Sequence, residues 1–208
     1  RHVKQILIVD DHDIVRSGIA RMLQVESDLE VCGEAGSNRE ALRVLQDCSP
    51  DLAVVDISLS DGSGLELIKT LRMMRPDMKI LVLSMHDASL YAERALRAGA
   101  QGYVMKEEPS ETIIKAIRMI FEGEIYLSEK IASKLLGTIF GQGGGRGGGI
   151  HSLTDRELEV FELIGAGRST RNMADCLGLS TKTIETHRAN IKRKLDLDHN
   201  TELVRNAV

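Results

Sequence analysis

With 208 residues, 42% of them hydrophobic and 28% charged, the chain has material for two ordinary domains and lacks the composition of a disordered or low-complexity protein. Its three cysteines, Cys32, Cys48 and Cys176, show no CxxC spacing; they argue against a disulfide framework or a zinc site and read as small core residues in a reducing compartment. The net charge of −4 is mild, and without an apolar run of about 18 residues or a signal-type segment the expectation is a cytoplasmic protein with no membrane partner.

Short apolar runs alternate with amphipathic stretches of helical period through the first half, the pattern of repeated βα units around a parallel sheet. Strands are predicted at Ile6 to Asp10, Glu30 to Glu34, Leu52 to Asp56, Lys79 to Ser84 and Gly102 to Met105. Helices are predicted at Asp13 to Gln24, Asn38 to Asp47, Gly64 to Met74, Ala88 to Ala98 and Ser110 to Phe121, covering both faces of a five-stranded sheet. Ser37 and Glu40 have capping-box spacing, and Pro109 suits a helix start.

A further amphipathic helix, Ser128 to Phe140, sets Ile131, Leu135, Leu136 and Ile139 on one face. It runs into Gly141 to Gly149, whose glycines make any fixed conformation entropically costly. That string has neither the phosphate-loop lysine nor a preceding buried strand, so it reads as a linker spanning about 15 to 20 Å.

Beyond the linker the pattern is all helical. Thr154 and Glu157 form a capping box for a helix that turns Leu158, Phe161, Leu163 and Ile164 inward, and Thr170 to Cys176 makes a second. After the turn at Gly178, Ser180 caps a longer helix through Leu195, which completes a helix-turn-helix pattern. Ile184, Ile191 and Leu195 face its core side, while Lys182, Glu185, Thr186, Ala189 and Arg193 gather opposite, with Lys192 and Lys194 beside them. Five basic residues against Glu185 alone between Thr181 and Lys194 suit a DNA major groove, the alternative being a solvated helix face. Lys182, Arg188, Lys192 and Lys194 are phosphate candidates; Glu185, Thr186 and Ala189 occupy the face that would meet base edges, where a glutamate can accept from cytosine N4.

Chemistry in the first half concentrates at strand ends. The first strand ends on Asp10 and Asp11, the third on Asp56, the fourth on Ser84 and the fifth on Lys106. Carboxyl ends of parallel strands are where open α/β sheets place ligands, and three converging carboxylates call for a hard cation such as Mg²⁺. His12 reads as a helix start, His86 as a residue able to influence water attack near this edge, and Asp61 as a loop residue.

This ordered set of acids, hydroxyl and lysine resembles the receiver domain of two-component response regulators. The runs Ser152 to Glu157 and Ser180 to Leu195 resemble the LuxR-type helix-turn-helix, and the two in this order resemble the NarL/FixJ class. The resemblance implies a flavodoxin-like doubly wound receiver over 1–125, a helix and linker over 126–150, and a DNA-binding domain over 151–208. It implies that Asp56 accepts a phosphoryl group from a histidine kinase and that Asp10, Asp11, Asp56 and the Ser58 carbonyl hold Mg²⁺. It further implies that Ser84 and Lys106 contact the phosphoryl oxygens, that Tyr103 is a switch aromatic, and that phosphorylation drives homodimerisation on DNA, with residues 201–208 in a helix that helps form the dimer. Tyr103 has a second reading, a partly buried strand residue with its hydroxyl in water. An aspartate-nucleophile phosphohydrolase would use the same cluster but needs a general acid two residues beyond the nucleophile, where Ser58 stands. A receiver that never sees phosphate, with constitutive DNA binding, is the third reading; the intact set of acid, hydroxyl and lysine argues against it.

Overall fold

In the computed structural model, residues 3–85, 88–140, 149–197, 202, 203 and 207 are described. His86 and most of the glycine string and of the final helix lie outside them. The chain divides into two compact units, Arg1–Gly141 and Gln142–Val208.

The first unit runs β1 (Lys4–Val9), α1 (Asp13–Gln24), β2 (Leu29–Ala35), α2 (Asn38–Asp47), β3 (Leu52–Asp56), β4 (Ser58–Leu59), β5 (Gly62–Ser63), α3 (Gly64–Met74), β6 (Lys79–Ser84), α4 (Ala88–Ala98), β7 (Gly102–Met105), α5 (Glu111–Phe121), β8 (Tyr126–Leu127) and α6 (Glu129–Phe140). The main sheet has the order β2-β1-β3-β6-β7-β8 and is parallel throughout. Five strands are those expected; the sixth, β8, is a correction. Its two residues pair with Gly102 and Tyr103 of β7, and a segment so short carries no periodicity to read. The small β4–β5 hairpin after Asp56 was likewise invisible as strand.

Residues of the central strands are buried on both faces because helices cover both. Ile6, Ile8, Leu52, Val54, Leu81, Leu83 and Val104 pack with Ile19 and Leu23 of α1 and Ile113, Ile117 and Ile120 of α5. Their alternating neighbours Leu7, Val9, Ala53, Val55, Ile80 and Val82 are also buried, on the side taken by α2, α3 and α4. Such continuous apolar strands, each side chain contributing about 1.5–3 kcal/mol of burial, pin the register at whose end the polar residues emerge. In α6, which packs against α4, Ile131 and Leu135 are buried, whereas Leu136, expected on the same face, is 53% exposed.

The second unit opens with a 3-10 turn, Ile150–Ser152, then α7 (Asp155–Gly165), α8 (Thr170–Leu177) and α9 (Thr181–Leu195). Leu158, Phe161, Ile164, Met173, Ile184 and Ile191 form its core. Thr154 accepts from the Glu157 N–H while Glu157 accepts from the Thr154 N–H, the reciprocal cap expected. Gly178, at φ 63°, turns the chain in the left-handed region between α8 and α9, where a side chain would be strained. Cys176 is exposed and Cys32 and Cys48 are half-buried, so none of the cysteines is the fully buried core residue expected.

Candidate functional site

Asp56 closes β3, which is entirely buried, and its own side chain is only 2% exposed. One carboxylate oxygen accepts the Ser58 N–H at 3.0 Å, a local turn that starts the β4–β5 hairpin. At Gly64 a Cβ would lie 2.2 Å from the Asp56 carbonyl oxygen, so only glycine lets α3 begin directly against the Asp56 backbone. Asp10, just beyond β1, uses the same device: Oδ1 accepts the His12 N–H at 2.9 Å. The order β2-β1-β3 reverses direction between β1 and β3, so these acids stand at the topological switch point.

Lys106, just beyond β7, reaches across. Its Nζ lies 2.6 Å from Asp10 Oδ2 and 2.7 Å from Asp56 Oδ2, with 6% of its side chain exposed. The His12 ring sits 2.8 Å from Asp11 Oδ1, and Asp10, Asp11, His12 and Asp56 present ligand atoms all within 4.8 Å of one another, a group of metal-ligating type found among the described residues. Burial pushes the Asp56 carboxyl above its usual range, partly offset by Lys106 and the Ser58 N–H. Burial pulls the Lys106 ammonium down, but Asp10 and Asp56 outweigh it and hold it above the ordinary lysine value.

Three carboxylates against one ammonium leave negative charge in a small, partly dry space. Asp10 Oδ2 and Asp11 Oδ1 are buried oxygens without an aligned hydrogen-bond donor, although the Lys106 ammonium lies 2.6 Å from the first and the His12 ring 2.8 Å from the second. Hard oxygen donors with spare lone pairs fit a small divalent cation. Ser84 is fully buried at the end of β6, where its carbonyl accepts the Lys106 N–H at 2.8 Å. Tyr103 is 0% exposed, which overturns the reading with its hydroxyl in water. Asp61 has a structural role not anticipated: it accepts the Asn38 and Arg39 N–H groups and so caps α2 from the loop beyond Asp56.

In α9, Lys182, Glu185, Thr186, Ala189 and Arg193 are exposed, as expected. Glu185 Oε1 accepts from Thr170 Oγ1 of α8 at 2.8 Å, and its other oxygen lies 3.9 Å from Arg188. Lys194 is turned inward instead, its Nζ 2.6 Å from Glu157 Oε2. The capping glutamate thereby bolts α7 to α9, a long-range contact with no local sequence signal. Glu157 is 4% exposed; burial would raise its carboxyl, yet Lys194 and the Thr154 N–H outweigh this and hold it below the usual range. A lowered folded value means stability that is present above the ordinary glutamate range and lost as pH falls through the folded value. Glu157→Gln is expected to flatten that acid limb in thermal denaturation and cost about 1–2 kcal/mol at neutral pH, since Lys194 can still reach water.

A doubly wound sheet carrying paired acids, a buried aspartate and a buried lysine at its carboxyl edge defines a receiver, and the second unit is a helix-turn-helix. Residues 6–118 match the family described as response regulator receiver domain, and residues 151–207 match bacterial regulatory proteins, luxR family. The chain belongs to the two-component response regulators of the NarL/FixJ class, which regulate transcription and are not enzymes. It is 34% identical to the oxygen regulatory protein NreC of Staphylococcus carnosus, over 98% of this chain and 96% of that protein. It is 39% identical to the transcriptional regulatory protein UhpA of Escherichia coli, over 96% and 95%. The structure of RcsB from Salmonella enterica serovar Typhimurium, bound to a promoter in the presence of a phosphomimetic, superposes with TM-score 0.72 at 25% identity, covering 99% of this chain and 98% of that one.

Proposed function

We propose that Asp56 is the phosphoacceptor and that its phosphorylation by a histidine kinase controls dimerisation and operator binding. The observation that carries this is the buried Asp56 carboxylate held 2.7 Å from the Lys106 ammonium, with Asp10 and Asp11 oxygens alongside. Asp56 Oδ attacks the phosphorus of a phosphohistidine; the O–P bond forms as the P–N bond breaks, and the histidine leaves with the electron pair. Lys106 offers a compact cation to the phosphoryl oxygens, and Ser84 a rotatable hydroxyl. Mg²⁺, held by Asp10, Asp11, Asp56 and the Ser58 carbonyl, supplies further charge neutralisation when bound. The residue two beyond Asp56 is Ser58, which is no general acid, so turnover as a phosphatase is not supported.

The new phosphate adds roughly −1.5 to −2 charge to a site already acidic, which favours rearrangement of Ser84 and Tyr103. Two DNA-binding units brought together on paired half-sites then gain affinity through effective concentration. Lys182, Arg188, Lys192 and Arg193 serve phosphate contacts, Glu185, Thr186 and Ala189 meet base edges, and Lys194 braces the helix from behind. A cytoplasmic location fits the DNA target, and no described helix is long and apolar enough to cross a membrane.

Sedimentation of the full chain with and without Mg²⁺ and acetyl phosphate tests the reading: a phosphate-dependent shift from monomer to dimer is expected, and a mass unchanged by phosphorylation overturns it. Lys182→Ala is expected to weaken binding to every sequence alike and to reduce the slope of log K against log salt by about 1. Glu185→Gln is expected to change base preference at one position, by about 1–3 kcal/mol at that pair, in a competition assay over operator variants.

A further inference from the structure

The edge strand β2 is irregular at one point. Ile6 pairs with Val31 and Leu7 with Gly33, so Cys32 is an extra residue with no partner on β1, a bulge that re-aims its side chain. At the next position a Cβ on Gly33 would lie 2.3 Å from Val44 Cγ1 and 3.6 Å from Cys48 Sγ. Glycine there is what lets the last turn of α2 settle directly onto the strand. The helix stops at Cys48, whose N–H still bonds the Val44 carbonyl while its backbone turns extended. Bulge, glycine and helix end together set the half-buried Cys48 thiol against the strand at the position next to Cys32, whose bulged side chain is the neighbouring thiol.

We propose that Cys32 and Cys48 are a redox-modifiable dithiol that closes to an intramolecular disulfide when a peroxide-class oxidant is supplied. Burial first, and then the neighbouring Cys48 thiol, push the Cys32 thiol up to about 12, so Cys32 keeps its proton and is not the group that meets the oxidant. Cys48 sulfur attacks a peroxide oxygen; the S–O bond forms, the O–O bond breaks, and one water leaves, giving a sulfenic acid. Cys32 sulfur then attacks Cys48 sulfur. The S–S bond forms, the S–O bond breaks, and the Cys32 proton leaves with the hydroxide as a second water. Two thiols and one hydrogen peroxide yield one disulfide and two waters. The bond ties the bulged edge strand to the C-terminal end of α2, the helix whose other end is capped by Asp61 from the loop after Asp56.

The test uses the full chain carrying Cys176→Ser, which removes the exposed thiol and leaves both proposed partners unaltered. After treatment with one equivalent of hydrogen peroxide, the expected product is a monomer about 2 Da lighter, with no thiol titratable until dithiothreitol is added. A non-reduced digest is expected to contain a peptide joining positions 32 and 48. A Cys32→Ser chain in the same background is expected to stop at a sulfenic acid on Cys48 that dimedone traps. A monomer that gains oxygen atoms without a 32 to 48 cross-link, or cross-links that form only between chains, overturns the proposal.

Discussion

Full-length protein carrying Asp56→Asn is expected to take up no phosphoryl group from acetyl phosphate and Mg²⁺, while the unaltered chain is labelled. The physical reason is specific to one atom. An ionised carboxylate oxygen can attack phosphorus in line, whereas the amide that replaces it has no charge to donate, so labelling on a phosphate-affinity gel should fall at least about 10³-fold. Operator affinity in the variant should no longer respond to acetyl phosphate; an equal gain in both proteins would place the switch elsewhere. The same substitution is expected to leave the fold intact. Burial raises the Asp56 carboxyl, so between the ordinary aspartate value and the raised one the folded state binds more protons than the unfolded state. Stability contributed by this group therefore falls as pH rises through that window. Asn never ionises, so Asp56→Asn should remove that slope and melt no lower than the parent above it.

Lys106→Ala is expected to have the largest effect on stability. The ammonium stands between two carboxylates that are each 2% exposed on their side chains, at 2.6 and 2.7 Å. Its removal leaves Asp10 and Asp56 buried and facing each other, and loss of one partner from a buried ion pair costs about 3–5 kcal/mol. Uptake of a proton by Asp56, already disposed to it by burial, should limit the loss, so the melting point should fall more at alkaline pH than in mild acid. The contribution of Lys106 itself is full below the ordinary lysine value and is lost only as pH rises through its raised folded value. The double variant Lys106→Ala with Asp56→Asn should be more stable than the sum of the single changes, by a coupling of about 0.5–3 kcal/mol, because the amide removes one of the two facing charges. Scanning calorimetry of the four proteins measures this, and strict additivity would mean that the two side chains do not interact. Phosphorylation by Lys106→Ala alone should slow by about 10²-fold.

The parallel strands and their helices were legible because the central strands are runs of apolar residues bounded by turn residues; the predicted bounds of the five strands and five helices agree with those observed within two residues. The two-residue β8 and the β4–β5 hairpin were not, since their pairing is decided by what lies beside them. The acids, the hydroxyl and the lysine could be read at their strand ends, because parallel strands of known register deliver their last residues to one edge. The exposed polar face of α9 could be read from helical period alone, but period cannot say which cation is already engaged. Lys194 looked like a phosphate contact and is held by Glu157, and Asp61 looked like a loop residue and caps α2.

What the sequence by itself determined is the succession of βα units, the helix-turn-helix pattern that follows them, and the identity of the charged groups at the strand ends, all consequences of local periodicity and residue order. Only the tertiary structure decided which of those charges meet. The distances from Lys106 to Asp10 and Asp56, the complete burial of Tyr103 and the seating of the Cys48 sulfur against β2 depend on a strand register, a bulge and close approaches at glycine. These join residues far apart in the chain, and chain spacing carries no record of such distances.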